Sequence, residues 1–302
     1  MKITRQFFII ATLPWCICFL PVTTFCGMTE AEVRLYKANA EKAEKGEAKA
    51  QCDIGFFLSN GLGCAVDNQL AAQWYTKSAE QGYAPAMNNL GICYKEGLGV
   101  KQNYVTAYKW FRMAAEQDVP FSQYIIGVML YDGIVVKKDI AKAIEWFMKS
   151  AENGLAPAQS ALGTILCNGD GVPKDELKGF SWLLKAAAQD DTNGEFQLGL
   201  CYHKGKGTKI DFVKAAHFFK KAASKGHHGA QYELGLCYYR GEGVTKNKTE
   251  AYAYMQLAKD TELGARAVAK TLEAFRSETE IEAGKKRAKE LQEEVTGKPT
   301  SK

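Results

Sequence analysis

Proline is scarce in this chain, seven residues in 302 against 28 glycines, which excludes a collagen-like or proline-rich linker protein. An excess of charge of one sign is also lacking. Lysine and arginine total 39 and aspartate and glutamate 34. Setting Lys2 and Arg5 aside with the N-terminal leader described below leaves 37 against 34. So small a bias does not build the basic surface that a phosphate backbone requires, and nucleic acid is not an expected partner. Histidine is limited to His203, His217, His227 and His228, and no H-E-x-x-H, C-x-x-C or G-x-x-x-x-G-K-[ST] stretch occurs. The sequence therefore assigns no catalytic residue, no metal ligand and no cofactor. Beyond residue 27 no apolar run is long enough to span a bilayer. The 46% hydrophobic and 24% charged residues are ordinary for a globular protein and exclude wholesale disorder.

Residues 1–27 form a separate block. Lys2 and Arg5 precede a nearly uncharged run from Phe7 to Phe25 that Pro14 and Pro21 interrupt, and Thr24 and Cys26 stand three and one before Gly27. This layout predicts a cleaved signal peptide and a protein that is secreted or periplasmic. The alternative is an uncleaved N-terminal anchor, because the run approaches the ~20 residues that cross a bilayer.

The rest of the chain repeats. Gly55, Gly91, Gly127, Gly163, Gly199 and Gly235 recur every 36 residues in A-x-x-x-[LI]-G, with Ser122 and Gly194 in place of the alanine in the third and fifth copies. A second glycine follows six residues later (Gly61, Gly97, Gly133, Gly169, Gly205, Gly241), and a third two after that, where Val135 is the one departure. An aromatic series, Trp74, Trp110, Trp146, Trp182, Phe218 and Tyr254, keeps the same phase, as do Asp67, Asn103, Asp139, Asp175, Asp211 and Asn247. Each copy reads as a helical hairpin. The first helix ends at a glycine suited to the left-handed C-cap, and the phased Asp or Asn then caps the second. On that second helix A-x-x-W-[FY]-x-x-[AS]-A places Ala107, Trp110, Phe111 and Ala114 on one stripe, which predicts burial of the tryptophans. A lone hairpin cannot enclose this stripe, so neighbours must stack. The expected fold is all-α, a right-handed α-solenoid of six 36-residue hairpins over 48–262. A capping helix over 28–47, capping helices over 263–296 and a disordered tail over 297–302 complete the expected organisation.

The segments AMNNLGICYKEGLGVKQNYVTAYKWFRMAAEQ and AQYELGLCYYRGEGVTKNKTEAYAYMQLA resemble the Sel-1-like repeat, a relative of the tetratricopeptide repeat with a longer glycine-rich turn. The resemblance implies a protein-interaction function rather than an enzymatic one. Some cysteine-rich relatives are linked to β-lactamase-like hydrolysis, the alternative reading, but no serine after the leader is followed three positions later by lysine. Those relatives join one cysteine from each helix of a hairpin. Here Cys93, Cys201 and Cys237 share a core position with Phe57, Met129 and Ile165, and the matching second-helix positions are alanine. Cys52 and Cys64 remain the one candidate bridge, open between bonded and free. The sequon Asn247-Lys248-Thr249 is read as a helix cap first and a glycosylation acceptor second.

The resemblance also implies that first helices line a concave face. Exposed positions there would lie three before and one, four and five after the phased glycine, a set that includes Cys167. Tyr124, Tyr131, Phe196, His203, Lys204, Tyr232, Tyr239 and Arg240 are the candidate partner-binding residues, since Tyr and Arg are enriched at binding hot spots. The expected partner is a protein or peptide bound by a monomer, with no membrane contact beyond the leader.

Overall fold

The structure, a computed structural model, describes residues 29–272, 275 and 277–296. The expected leader and the tail from 297 lie outside the described residues. Among them are fifteen helices and no strand. Helix α1 (Glu30–Glu44) is followed by six hairpins: α2 (Ala48–Asn60) with α3 (Asn68–Glu80), α4 (Ala84–Glu96) with α5 (Tyr104–Ala115), α6 (Pro120–Asp132) with α7 (Ile140–Glu152), α8 (Ala156–Asn168) with α9 (Glu176–Ala188), α10 (Thr192–Lys204) with α11 (Phe212–Ser224), and α12 (His228–Arg240) with α13 (Lys248–Leu257). Helices α14 (Glu262–Leu272) and α15 (Glu278–Thr296) close the array. Each hairpin packs against its neighbours in an α-solenoid.

Local signals start and stop these helices as the repeat predicts. The six phased Asp and Asn residues are all N-caps that accept from backbone amides, Asn247 included. The glycine six after the phased one takes φ between 71° and 80° as the C-cap of every first helix. The phased glycine itself sets the distance between the two helices. A Cβ at Gly127 would stand 2.7 Å from the Phe147 ring, and one at Gly91 2.8 Å from Phe111. The hairpin closes face to ring with no side chain between.

Tyr75, Phe111, Phe147, Leu183, Phe219 and Met255 fill that gap and are buried. The tryptophans expected in this role are the residues just before them. One helical step rotates each off the seam, so Trp74, Trp110, Trp146 and Trp182 are only half-buried. Three of them carry a lysine ammonium over the ring, Lys77 at 4.2 Å, Lys149 at 4.6 Å and Lys185 at 3.9 Å.

A buried polar tie recurs at the joints. Gln51, Gln123, Gln159 and Gln231 each donate back to a carbonyl at the end of the preceding helix, those of Ala43, Ala115, Ala151 and Ala223. The first three also accept from the end of their own second helix: Gln51 from Gln81 at 2.7 Å, Gln123 from Asn153 at 3.1 Å, and Gln159 from Gln189 at 2.9 Å. The fifth copy replaces glutamine with Glu195, which is 0% exposed. Lys221 of α11 and Lys225, which caps its C-terminus, each reach its carboxylate at 2.8 Å. A buried anion thus has two cations and no need of a carbonyl acceptor.

The ends are covered differently. At the N-terminus Thr29 and Glu32 form a capping box on α1, whose Ala43 packs into the first hairpin. At the C-terminus Ala288 and Leu291 of α15 share a cluster with Tyr254 and Leu257 of α13. Arg287 adds an ion pair to Glu250 at 2.8 Å. The six cysteines among the described residues are free thiols. The candidate bridge is absent: Cys52 is buried beside the Asn89 amide at 3.8 Å, and Cys64 is separate and half-buried.

Candidate partner-binding surface

First helices do share a face. Between α6, α8 and α10 lies an open cavity of about 300 Å³. Tyr124 and Tyr131 of α6, Ser160 and Thr164 of α8, and Asn193 and Gln197 of α10 contribute to its walls. The two tyrosines lean on the buried Phe147 ring, with centroids 5.8 and 6.4 Å away. Asp132 and Asp170 stand at the margin of the same space. Burial and then these carboxylates raise the Tyr131 pKa, Asp170 ahead of Asp132. Burial, Asp191 and Asp132 do the same for Tyr124. The tyrosine pair therefore sits in a negative local field, and Lys138 already lies over the Tyr131 ring at 5.1 Å.

The other six candidates belong to the fifth and sixth hairpins and are more engaged. Phe196 lies tilted against His227, ring centroids 4.3 Å apart, and meets Phe219 at 6.1 Å. His203 Nε2 lies 3.1 Å from Glu242, and its ring meets Phe212 at 5.3 Å. Arg240 is exposed but stands 3.6 Å from the same Glu242 carboxylate. Lys204 is exposed, and Tyr232 and Tyr239 are half-buried. Burial raises the Glu233 pKa, and His203, Lys204 and Arg240 oppose the rise. The cationic heads expected to flank a groove thus face carboxylates of this chain, whereas the tyrosine cavity has an acidic margin.

Cys167, placed on the concave face by its phase, points inward instead and is 3% exposed. The acidic margin was missed because Asp170 lies in a turn. That turn position is Leu62, Leu98 and Ile134 in the first three copies but Asp170, Lys206 and Glu242 in the last three, and the switch to charge was the available signal. Among the described residues no cluster of three or more His, Cys, Asp or Glu is arranged to hold a metal, and no helix is long and apolar enough to cross a membrane. His227 is an N-cap, accepting the Ala230 amide at 3.0 Å.

Six consecutive segments, 48–83, 84–119, 120–155, 156–191, 192–227 and 228–260, match the Sel1 repeat. The chain belongs to the Sel1 repeat family. Among solved structures, this Sel1 repeat protein is similar to c5321, a protective antigen of uropathogenic Escherichia coli with an SLR fold, at 28% identity and a TM-score of 0.82. That likeness covers 90% of this chain but only 58% of c5321, so the chain spans less than two thirds of it. A Sel1 repeat protein from Oxalobacter formigenes is 32% identical with a TM-score of 0.66, over 77% of this chain and 96% of that one. No protein of curated function matches. Sel1 repeat proteins generally serve as protein-interaction modules.

Proposed function

We propose that this Sel1 repeat protein is a non-enzymatic binding module, exported from the cytosol as a monomer, that holds an extended segment of a partner protein along its first helices. The carrying observation is the aromatic cavity between α6, α8 and α10. Tyr124 and Tyr131 supply apolar area on a rigid seat over Phe147, and Asp132 and Asp170 select for a basic side chain in the bound segment. The face continues through Phe196 to Tyr232, Tyr239, Lys204 and Arg240, which meet flanking residues of the same segment. Export rests on the leader-like composition of residues 1–27.

Random peptides displayed on phage and selected on the immobilised protein test this reading. Enriched peptides should carry a Lys or Arg beside apolar residues and bind less tightly as salt rises. Tyr124→Ala with Tyr131→Ala should weaken a selected peptide by at least about 2 kcal/mol in calorimetry, the threshold of a hot spot. Tyr232→Ala with Tyr239→Ala should weaken it as well, with helical content unchanged in both variants. Equal affinity in folded variants, or enrichment of acidic peptides, would place the site elsewhere.

A further inference from the structure

One pair of side chains in the middle of the array has no counterpart in the other copies. Cys167 of α8 and Cys201 of α10 place their sulfurs 3.9 Å apart, each thiol nearly enclosed at 3% and 2% exposure. Cys201 occupies the core position two after its phased glycine. Cys167 lies four after its own, where the other copies carry Ser59, Lys95, Tyr131, His203 and Tyr239. Room for an inward sulfur there comes from a second departure. Gly179 of α9 replaces the alanine found at Ala71, Ala107, Ala143, Ala215 and Ala251, and a Cβ on it would stand 2.5 Å from Cys167 Sγ. Helices α8 and α10 also approach more closely than any other two neighbouring first helices. Three independent features thus converge on one contact between thiols.

We propose that Cys167 and Cys201 form a reversible disulfide that ties the fourth hairpin to the fifth. Closing it requires the sulfurs to move together by roughly 2 Å, to the ~2.05 Å of an S–S bond. The oxidant is a small organic disulfide such as glutathione disulfide, acting by exchange. The Cys167 thiol is held below its ordinary pKa, first by the hydrogen bond from Cys201 and then, against burial, by Lys206. It therefore supplies the attacking thiolate. Its sulfur bonds to one glutathione sulfur, the reagent's S–S bond breaks, and one glutathione leaves as thiolate. Cys201 then releases its proton to solvent and attacks Cys167 Sγ, expelling the second glutathione thiolate. The protein gives up two electrons and two protons, and the reagent takes the electrons. This bond is distinct from pairing within one hairpin, because it joins first helices of successive copies. Helix α8 supplies Ser160 and Thr164, and α10 supplies Asn193 and Gln197, to the walls of the cavity between them. Oxidation would fix the distance between two of its three walls.

The test is to refold the full chain in an oxidising glutathione buffer, so that burial in the native state does not limit access, then alkylate in denaturant and map peptides without reduction. The expected result is a single crosslinked product joining Cys167 to Cys201, lost in Cys167→Ser and in Cys201→Ser, with other thiols alkylated. The oxidised protein should unfold at a temperature higher by on the order of 5 °C or more, because the bond closes a loop of 34 residues. Full alkylation of both residues after oxidative refolding, pairing of either with another cysteine, or glutathione retained on Cys167 with Cys201 free would each overturn the proposal.

Discussion

Adjacent aromatics in α7 offer a sharp test of the packing. Trp146 and Phe147 are both phased through the repeat, yet only Phe147 faces the seam, at 3% exposure. Truncating it to alanine removes a ring seated against Gly127, which has no side chain to move into the space. Such a void keeps most of its cost, so Phe147→Ala should destabilise by about 3–5 kcal/mol, the range for buried aromatics in tight cores. Trp146→Ala removes a larger ring but from a half-buried site, where water refills the notch. Only the covered part of its area and the contact with Lys149 at 4.6 Å are lost. That amounts to about 1–2 kcal/mol by area, with the cation contact adding a few tenths. Urea unfolding followed by helical circular dichroism should therefore show the larger midpoint loss for the smaller ring. Equal losses, or a larger one for Trp146, would mean that the seam is assigned to the wrong residue. Phe147→Ala should also weaken peptide binding, because Tyr124 and Tyr131 rest on that ring.

Three further outcomes are expected. Replacing Lys221 and Lys225 together by methionine leaves the Glu195 carboxylate buried and unpaired and should cost about 3–5 kcal/mol in urea unfolding. Glu195→Gln with Lys225→Gln rebuilds the neutral tie of the fourth hairpin and should recover most of that loss. Gly179→Ala installs the residue of the other five copies, gaining about 1 kcal/mol of helix propensity. It should still lose about 1–3 kcal/mol to overpacking against Cys167 Sγ and the α8 backbone, read as a lower midpoint. Burial, opposed by a hydrogen bond to its own backbone, holds the His227 pKa below the ordinary value. Because the folded pKa is the lower one, this contribution is complete above about pH 6.5 and fades as pH falls through the lowered value. His227→Asn, which keeps a capping acceptor that does not titrate, should flatten that part of the urea-midpoint profile.

The helices, their caps and their order were legible because a period of 36 writes each requirement six times. Asp67 and its five equivalents are caps in every copy, and each phased glycine meets a buried side chain across its hairpin. Periodicity could not choose between Trp146 and Phe147, since both keep phase and differ only by one step around the helix. The lysine three residues after the tryptophan in three copies was the discriminating clue, as it needs water and draws the indole outward. The cavity was illegible for another reason. It depends on how closely α6, α8 and α10 approach, which small departures such as Gly179 set from the far side of the seam. Cys167 illustrates the limit, because phase put it on the surface and the missing methyl of Gly179 put it inside.

The glutamine ties have a direction. Each one reaches back eight residues to a carbonyl of the helix already made, and among the described residues the main helix contacts before the closing segment lie within a hairpin or between neighbouring ones. A chain leaving the ribosome from its N-terminus thus carries everything a hairpin needs once that hairpin has emerged. Glu195 is the exception, since its carboxylate waits for Lys221 of the following helix and Lys225 at its C-cap. The growing end always presents an apolar helix face with nothing over it. Among the described helices, α14 reaches α13 first, and α15 completes the cover by laying Ala288 and Leu291 against α13. Chains halted before residue 278 should therefore be the species that chaperones and proteases engage, even though most of their hairpins are already complete.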